Sequence, residues 1–189
     1  MHALGMLGEA EALAQTVDLA GRRDLVDVGC GAGVYSLTLC GRYRELRATL
    51  LDRPEVLEVT SENVAESGLG DRVTLISGDF LRDSYGGARD VVLLSDVLYQ
   101  SDEACVAMLR EAYRALVPGG LVVIRGYYPD PRNNRSAFAA LFDLDRLLWD
   151  DARRPLPASR VIAWLDEVGF KGARSFALTE LSTGIVAKK

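Results

Sequence analysis

The run Leu25-Val26-Asp27-Val28-Gly29-Cys30-Gly31-Ala32-Gly33 restricts what this chain can fold into more than any other stretch. An apolar, β-branched segment ends in three glycines on alternate positions, and a run of helical character, Val34 to Cys40, follows at once. That order predicts a buried strand, a tight turn and a helix N-terminus. Glycine tolerates the left-handed backbone that such a turn demands and lets a ligand approach bare main chain. The helix beginning beyond Gly33 aims unpaired N–H groups and a positive dipole end at the same place. A nucleotide or nucleoside-like cofactor suits that arrangement. The dinucleotide fingerprint G-x-G-x-x-G is not met, because Val34 stands where its third glycine would be. A tight turn with no ligand would use the same glycines, so the acidic residues further along have to decide.

Asp27 closes the first strand, Asp52 closes a predicted second strand over Arg47 to Leu51, and Asp79 follows a predicted third over Arg72 to Ser77. In a doubly wound sheet Asp52 comes to lie beside the glycine turn, where its carboxylate can accept both hydroxyls of a ribose. Asp79, or the backbone beside it, can read the amino edge of an adenine, with Phe80 against the ring. A nicotinamide cofactor explains Asp52 but leaves Asp79 without a use. Each acid alone is equally well a polar residue at an exposed strand end.

Further elements alternate in the same way. Helices are predicted over Leu4 to Leu19, with Leu7, Ala10, Glu11 and Ala14 at helical spacing, and over Pro54 to Ser67. Asp102 to Leu116 is the most regular, with Cys105, Met108, Leu109, Ala112, Tyr113 and Leu116 on one face and Pro118-Gly119-Gly120 as its stop. Asn133 to Asp150 and Ser159 to Val168 follow, Ser159 serving as the cap of the latter. Strands are predicted over Asp90 to Ser95 and Leu121 to Tyr127, with a hairpin of Ala173 to Thr179 and Gly184 to Ala187 at the end. Strands alternating with helices imply a parallel sheet covered on both faces. The 189 residues make one domain, an N-terminal helix over 1–20 and a core over 21–189. A net charge of −5 without a basic stripe argues against nucleic acid, and no apolar run reaches the length of a membrane span. The odd set Cys30, Cys40 and Cys105 sits inside apolar patterns, as expected for reduced thiols in a cytoplasmic protein.

Val26 to Gly33, Asp52, Gly78-Asp79-Phe80 and Leu116-Val117-Pro118-Gly119-Gly120 resemble the successive motifs of class I S-adenosylmethionine-dependent methyltransferases. Within that class, Leu51-Asp52-Arg53-Pro54-Glu55-Val56 and the stretch from Arg125-Gly126-Tyr127-Tyr128 to Leu148 are similar to small-molecule O-methyltransferases, the plant phenolic enzymes and their bacterial natural-product relatives. The resemblance implies a Rossmann-like α/β fold whose seven-stranded, mostly parallel sheet has the order 3-2-1-4-5-7-6, strand 7 running antiparallel. It implies methyl transfer from S-adenosylmethionine to a small-molecule acceptor, at a hydroxyl oxygen, with S-adenosylhomocysteine as product. The cofactor is assigned to Asp27, Gly29, Gly31, Gly33, Asp52, Arg53, Asp79, Phe80 and Ser95. The acceptor is assigned to Tyr127, Phe142, Asp145 and Arg146; Phe138, Leu141, Phe142, Leu148 and Trp149 follow helical spacing, with Asp145 in the gap. Arg125, Arg132 and Arg135 near the same rim favour an anionic acceptor, unless they are ordinary surface arginines.

Two departures qualify what is inherited. Members of the subgroup usually carry an N-terminal helical domain that dimerises and closes the substrate pocket, whereas few residues here precede the first strand. A homodimer or a second subunit is therefore expected to close the pocket, with Leu4, Met6 and Leu7 in contact. The family's catalytic histidine has Tyr99 in its place, and the one histidine of the chain is His2. Asp96 and Tyr99, at the end of the fourth strand, become the candidate catalytic residues. A sulfonium methyl is already activated, so holding the nucleophile in line supplies most of the catalysis, and a base helps only a protonated acceptor. Tyrosine, with a pKa of about 10, is a poor base at neutral pH, and an ordinary aspartate is weakly basic unless buried. A metal-dependent variant would draw on Asp96, Asp130 and Asn133, but the adjacent Asp-Asn pair it wants is missing, and no metal is assigned. The competing reading is a methyltransferase-like module that binds cofactor or a partner subunit without turnover.

Overall fold

A computed structural model describes residues 2–128 and 156–189, with side chains from Leu7 onward. Seven strands form one sheet: β1 (Asp24–Val28), β2 (Arg47–Asp52), β3 (Val73–Ser77), β4 (Arg89–Ser95), β5 (Leu116–Gly126), β6 (Lys171–Ala177) and β7 (Thr183–Lys188). Their order is β3-β2-β1-β4-β5-β7-β6, as the resemblance implies. The strand carrying the glycine turn is central, parallel to β2 through Asp27↔Leu50 and to β4 through Asp27↔Leu93. β7 alone is reversed, antiparallel to β5 on one side and to β6 on the other.

Period-2 alternation sorts the side chains of the strands into two cores. Val26, Val28, Val92, Leu94, Val122 and Ile124 pack against α4 (Asp102–Ala115) and α5 (Ala158–Val168). On the other face Leu25, Val91, Leu93 and Val123 pack with Ala10 and Leu13 of α1 (His2–Thr16), Leu39 and Cys40 of α2 (Val34–Arg42) and Leu57 of α3 (Pro54–Ser67). Strands covered on both faces read as near-continuous apolar runs, the pattern seen around the glycines. Alternation also puts Asp27 on the side of α1 and α2, inside the second core.

Three local expectations are corrected. α1 ends at Thr16, and its buried face is Glu9, Ala10, Leu13 and Ala14; Leu7 and Glu11 lie outside. Pro118-Gly119-Gly120 is not a free turn. α4 stops at Ala115 and β5 begins at Leu116, paired with Arg89; regular pairing resumes at Leu121↔Val91, and Gly119 between them takes φ +77°. Gly119 N–H donates to the Lys189 carbonyl at 3.0 Å and Lys189 N–H to that of Gly120 at 2.9 Å, so the chain's last residue holds this run in the sheet margin. Ser159 lies inside the first turn of α5, whose cap is Pro157, with no side-chain bond. The predicted helix Asn133 to Asp150 lies outside the described residues, and so do Asp130, Arg132, Asn133, Arg135, Phe142, Asp145 and Arg146.

Candidate cofactor and methyl-transfer site

All three glycines of the turn take positive φ: +69° at Gly29, +54° at Gly31 and +78° at Gly33. Space separates them. A Cβ on Gly29 would stand 2.6 Å from Val97 Cγ1 and 3.4 Å from the Phe80 ring, and one on Gly33 would stand 3.0 Å from Leu50 Cδ2. One on Gly31 would meet nothing within 4 Å. The outer two glycines are required by packing, and the middle one opens onto free space. The turn is tied from three directions. Gly29 N–H donates to the Leu51 carbonyl at 2.8 Å, Thr60 Oγ1 donates to the Gly31 carbonyl at 2.6 Å and Asn63 Nδ2 to that of Ala32 at 2.8 Å. α2 starts directly from Gly33 with no side-chain cap, so its first-turn N–H groups receive no side-chain oxygen there.

Asp52 closes β2 beside this turn, as expected. Its Oδ2 accepts the Gly31 N–H and its Oδ1 the Arg53 N–H, each at 2.8 Å. An ionised carboxylate has about four acceptor sites, so two remain for ligand hydroxyls. Arg53 caps α3 with its side chain exposed. Asp79 shapes the loop after β3: its N–H donates to Asp83 Oδ2 at 2.7 Å, and its Oδ1 accepts the Leu81 N–H at 3.0 Å. Phe80 follows with its ring against Gly29, and its carbonyl accepts the hydroxyl of buried Tyr85 at 2.8 Å.

Asp27 is 1% exposed. Its Oδ2 accepts Ser36 Oγ at 2.6 Å, while Oδ1 is buried without a hydrogen-bond partner. Burial pushes its carboxyl up to about 7; the Ser36 bond pulls back and the charge of Asp52 adds to the rise. Burial likewise pushes the Cys30 thiol up, with Asp27 and Asp52 contributing, so this cysteine of the turn is unreactive packing.

The ends of β4 and β5 form the other half of the site. Asp96 takes φ +56°, an unusual backbone for any residue but glycine, and its N–H donates to the Arg125 carbonyl at 2.8 Å. Arg125 belongs neither to a rim nor to an open surface: it is 3% exposed. Its guanidinium pairs with Glu9 of α1, lies 4.1 Å from the centroid of the Tyr127 ring and stands 3.9 Å from Asp96 Oδ2. Burial opposes the charge of Arg125, but Tyr35, Glu9 and Tyr127 outweigh it and hold the guanidinium protonated. The Tyr35 hydroxyl donates to Glu9 Oε2 at 3.3 Å and also meets Ser95. Tyr99 and Tyr127 are half-buried at the same end of the sheet.

Sequence reasoning therefore brought Asp27, the glycines, Asp52, Asp79, Phe80, Ser95, Asp96, Tyr99 and Tyr127 to one edge, the carboxyl ends of β1 to β5. It missed Glu9, Tyr35, Ser36, Thr60 and Asn63. Glu9 and Arg125 carried a signal, since each interrupts an apolar pattern on a buried face. Among the described residues no cluster of three or more His, Cys, Asp or Glu could hold a metal ion, and no helix is long and apolar enough to cross a membrane.

The strand order with β7 reversed, and a glycine turn flanked by acids at the ends of β2 and β3, define a class I methyltransferase fold. The chain belongs to the O-methyltransferase domain family, whose model matches residues 5–156. It is 31% identical over 180 residues to the 3-hydroxy-5-methyl-1-naphthoate 3-O-methyltransferase of Streptomyces sahachiroi, covering 94% of this chain and 52% of that one. It is 40% identical over 115 residues to the aclacinomycin 10-hydroxylase RdmB of Streptomyces purpurascens, covering 60% and 30%. Among solved structures, the apo form of the S-adenosylmethionine-dependent methyltransferase SibL superposes with a TM-score of 0.86 at 30% identity, over 100% of this chain and 56% of that one. The chain spans about half the length of its most fully aligned curated relatives.

Proposed function

We propose that residues 1–189 act as one domain that binds S-adenosylmethionine and methylates a hydroxyl oxygen of a small molecule. The open space at Gly31, bordered by Asp52 with acceptor sites to spare, is the observation that carries this reading. The residues present fit the cofactor: Asp52 for a ribose, Asp79 and Phe80 for an adenine, and the turn Gly29-Gly31-Gly33 with Asp27 beneath it for the remainder, flanked by Arg53 and Ser95. When bound, S-adenosylmethionine supplies a methyl group already activated on a sulfonium. The chain is left to orient the acceptor and take up its proton. Asp96 is the group proposed for the proton, with Tyr99 beside it and Tyr127 lining the approach; Phe142, Asp145 and Arg146 complete the acceptor contacts in this reading. An acceptor that arrives as an anion needs only positioning.

A homodimer or a second subunit closing the acceptor pocket belongs to the same proposal, supported by Leu7, 44% exposed two residues before Glu9. A cytoplasmic setting is supported by three buried free thiols, Cys40 and Cys105 being pushed up to about 11 by burial.

The test is calorimetric titration with S-adenosylmethionine, followed by turnover on hydroxylated aromatic acids such as 3-hydroxy-5-methyl-1-naphthoate. Mass spectrometry of the product distinguishes a gain of CH2 from a gain of oxygen, the outcome that the hydroxylase relative makes worth separating. Absence of binding, or preferential binding of a nicotinamide dinucleotide, would refute the cofactor assignment. Binding without turnover would leave a module that has lost catalysis.

A further inference from the structure

We propose that Glu9 and Arg125 are positioning residues for Asp96, so that the N-terminal helix α1 is a working part of the methyl-transfer end. This rests on the reading of Asp96 as the group that takes up the acceptor's proton. Arg125 leaves a central strand directly after Val122, Val123 and Ile124, a place where an unpaired cation is not tolerated. Its counter-ion arrives from 116 positions away, on the buried face of α1 beside Ala10 and Leu13. Tyr35 of α2 holds Glu9 by its hydroxyl, and the Tyr127 ring covers the guanidinium. Two helices and the end of β5 thus fix one cation.

That cation bears on Asp96 twice. The Arg125 carbonyl accepts the Asp96 N–H at 2.8 Å and so secures the left-handed backbone that turns this residue out of β4. The guanidinium Nη1 stands 3.9 Å from Asp96 Oδ2, an ion-pair separation beyond hydrogen-bonding range. A carboxylate tightly bonded to a guanidinium is a weaker base, because the bond favours its ionised form. Glu9, by engaging Arg125, keeps the guanidinium drawn toward α1 and off Asp96. The carboxylate is then oriented by the charge while staying able to accept a proton. Arg125 Nε, buried without a hydrogen-bond partner among the described residues, fits this account, since a guanidinium placed only to staple α1 to the sheet would be expected to satisfy its donors.

A double-mutant cycle on the 189-residue chain tests the inference, with 3-hydroxy-5-methyl-1-naphthoate as acceptor and S-adenosylmethionine affinity measured separately by calorimetry. Glu9→Gln is expected to lower kcat about tenfold with cofactor Kd within about twofold of wild type, and the loss is expected to vanish in an Asp96→Asn background. The same loss in both backgrounds would make the pair a staple for α1 and overturn the inference alone. Wild-type turnover in Asp96→Asn would remove Asp96 from the reaction, and the inference with it. If Glu9→Gln does not fold, Tyr35→Phe, which deletes only the hydroxyl that donates to Glu9, takes its place in the cycle. If no acceptor is methylated, hydrogen exchange decides: Glu9→Gln is expected to speed the Asp96 amide at least about tenfold and leave the Leu13 amide of α1 unchanged, and an unchanged Asp96 rate, or equal acceleration of both, overturns the inference.

Discussion

Asp27→Asn is expected to gain stability relative to wild type as the pH rises from mild acid to neutral. The carboxyl of Asp27 is raised to about 7 from an ordinary 3.8, chiefly by burial; Ser36 lowers it and Asp52 raises it further. An acid whose pKa is raised on folding keeps its proton in the folded state after the unfolded chain has released it. Stability therefore falls as pH rises through the interval from about 4 to about 7 and is level above it. At about 1.4 kcal/mol per pKa unit, a shift of about three units amounts to about 4 kcal/mol over the whole interval. Between pH values of about 5 and 8, where both chains can be handled, it amounts to about 2–3 kcal/mol. Asparagine cannot ionise, yet its side-chain carbonyl can still accept the Ser36 hydroxyl, so the substitution removes the titration while retaining the bond. The unfolding free energy of the variant, relative to wild type, should thus be about 2–3 kcal/mol more favourable at the higher pH. Urea denaturation of both chains at the two pH values measures it, provided the m-values agree. Parallel pH profiles would refute the reasoning, because Asp27 would then ionise in the folded chain as readily as in the unfolded one.

Asp52→Ala should weaken S-adenosylmethionine binding by about 1.5–3 kcal/mol, the range for hydrogen bonds to a charged group; calorimetry reads it, and unchanged affinity would remove the ribose assignment. Gly29→Ala should destabilise more than Gly31→Ala, by about 1–3 kcal/mol in thermal or urea unfolding, since both strain a positive φ but only the first drives a methyl into Val97. Equal losses at the two positions would show that packing does not distinguish them.

The fold was legible where an element carries its own boundary signals. α3 runs from Pro54 to Ser67 as predicted, because proline suits a helix's first turn and Gly68 takes the left-handed cap, φ +69°. Gly169 ends α5 in the same manner, φ +112°. Boundaries without such signals moved. Nothing local says that Pro118-Gly119-Gly120 is held in a sheet, since its partner is Lys189, at the far end of the chain. Proline and glycine did punctuate, with α4 ended and Gly119 at φ +77° inside a break in the β4–β5 register; what was not legible is the pairing with Lys189.

The site divides along the same line. The placement of the glycine turn, Asp52 and Asp79 together was readable because alternating strands and helices bring the carboxyl ends of parallel strands to one edge. Arg125 reads from the sequence as a rim residue, and its burial was not legible because its place depends on Glu9, and a pair so distant in sequence leaves no joint pattern. Each half nevertheless left a mark: a cation after Val122-Val123-Ile124 in a strand, an anion beside Ala10 and Leu13 on a helix. Two buried faces that each carry one unmatched charge, of opposite sign, can satisfy burial only by meeting. The structure has them meet beside Asp96, and the two buried side-chain atoms left without a hydrogen-bond partner among the described residues are Asp27 Oδ1 and Arg125 Nε. One lies under the glycine turn and the other next to Asp96, at the two halves of the proposed site. A buried polar group without a partner calls for an explanation, and a ligand or solvent at the proposed site would supply one.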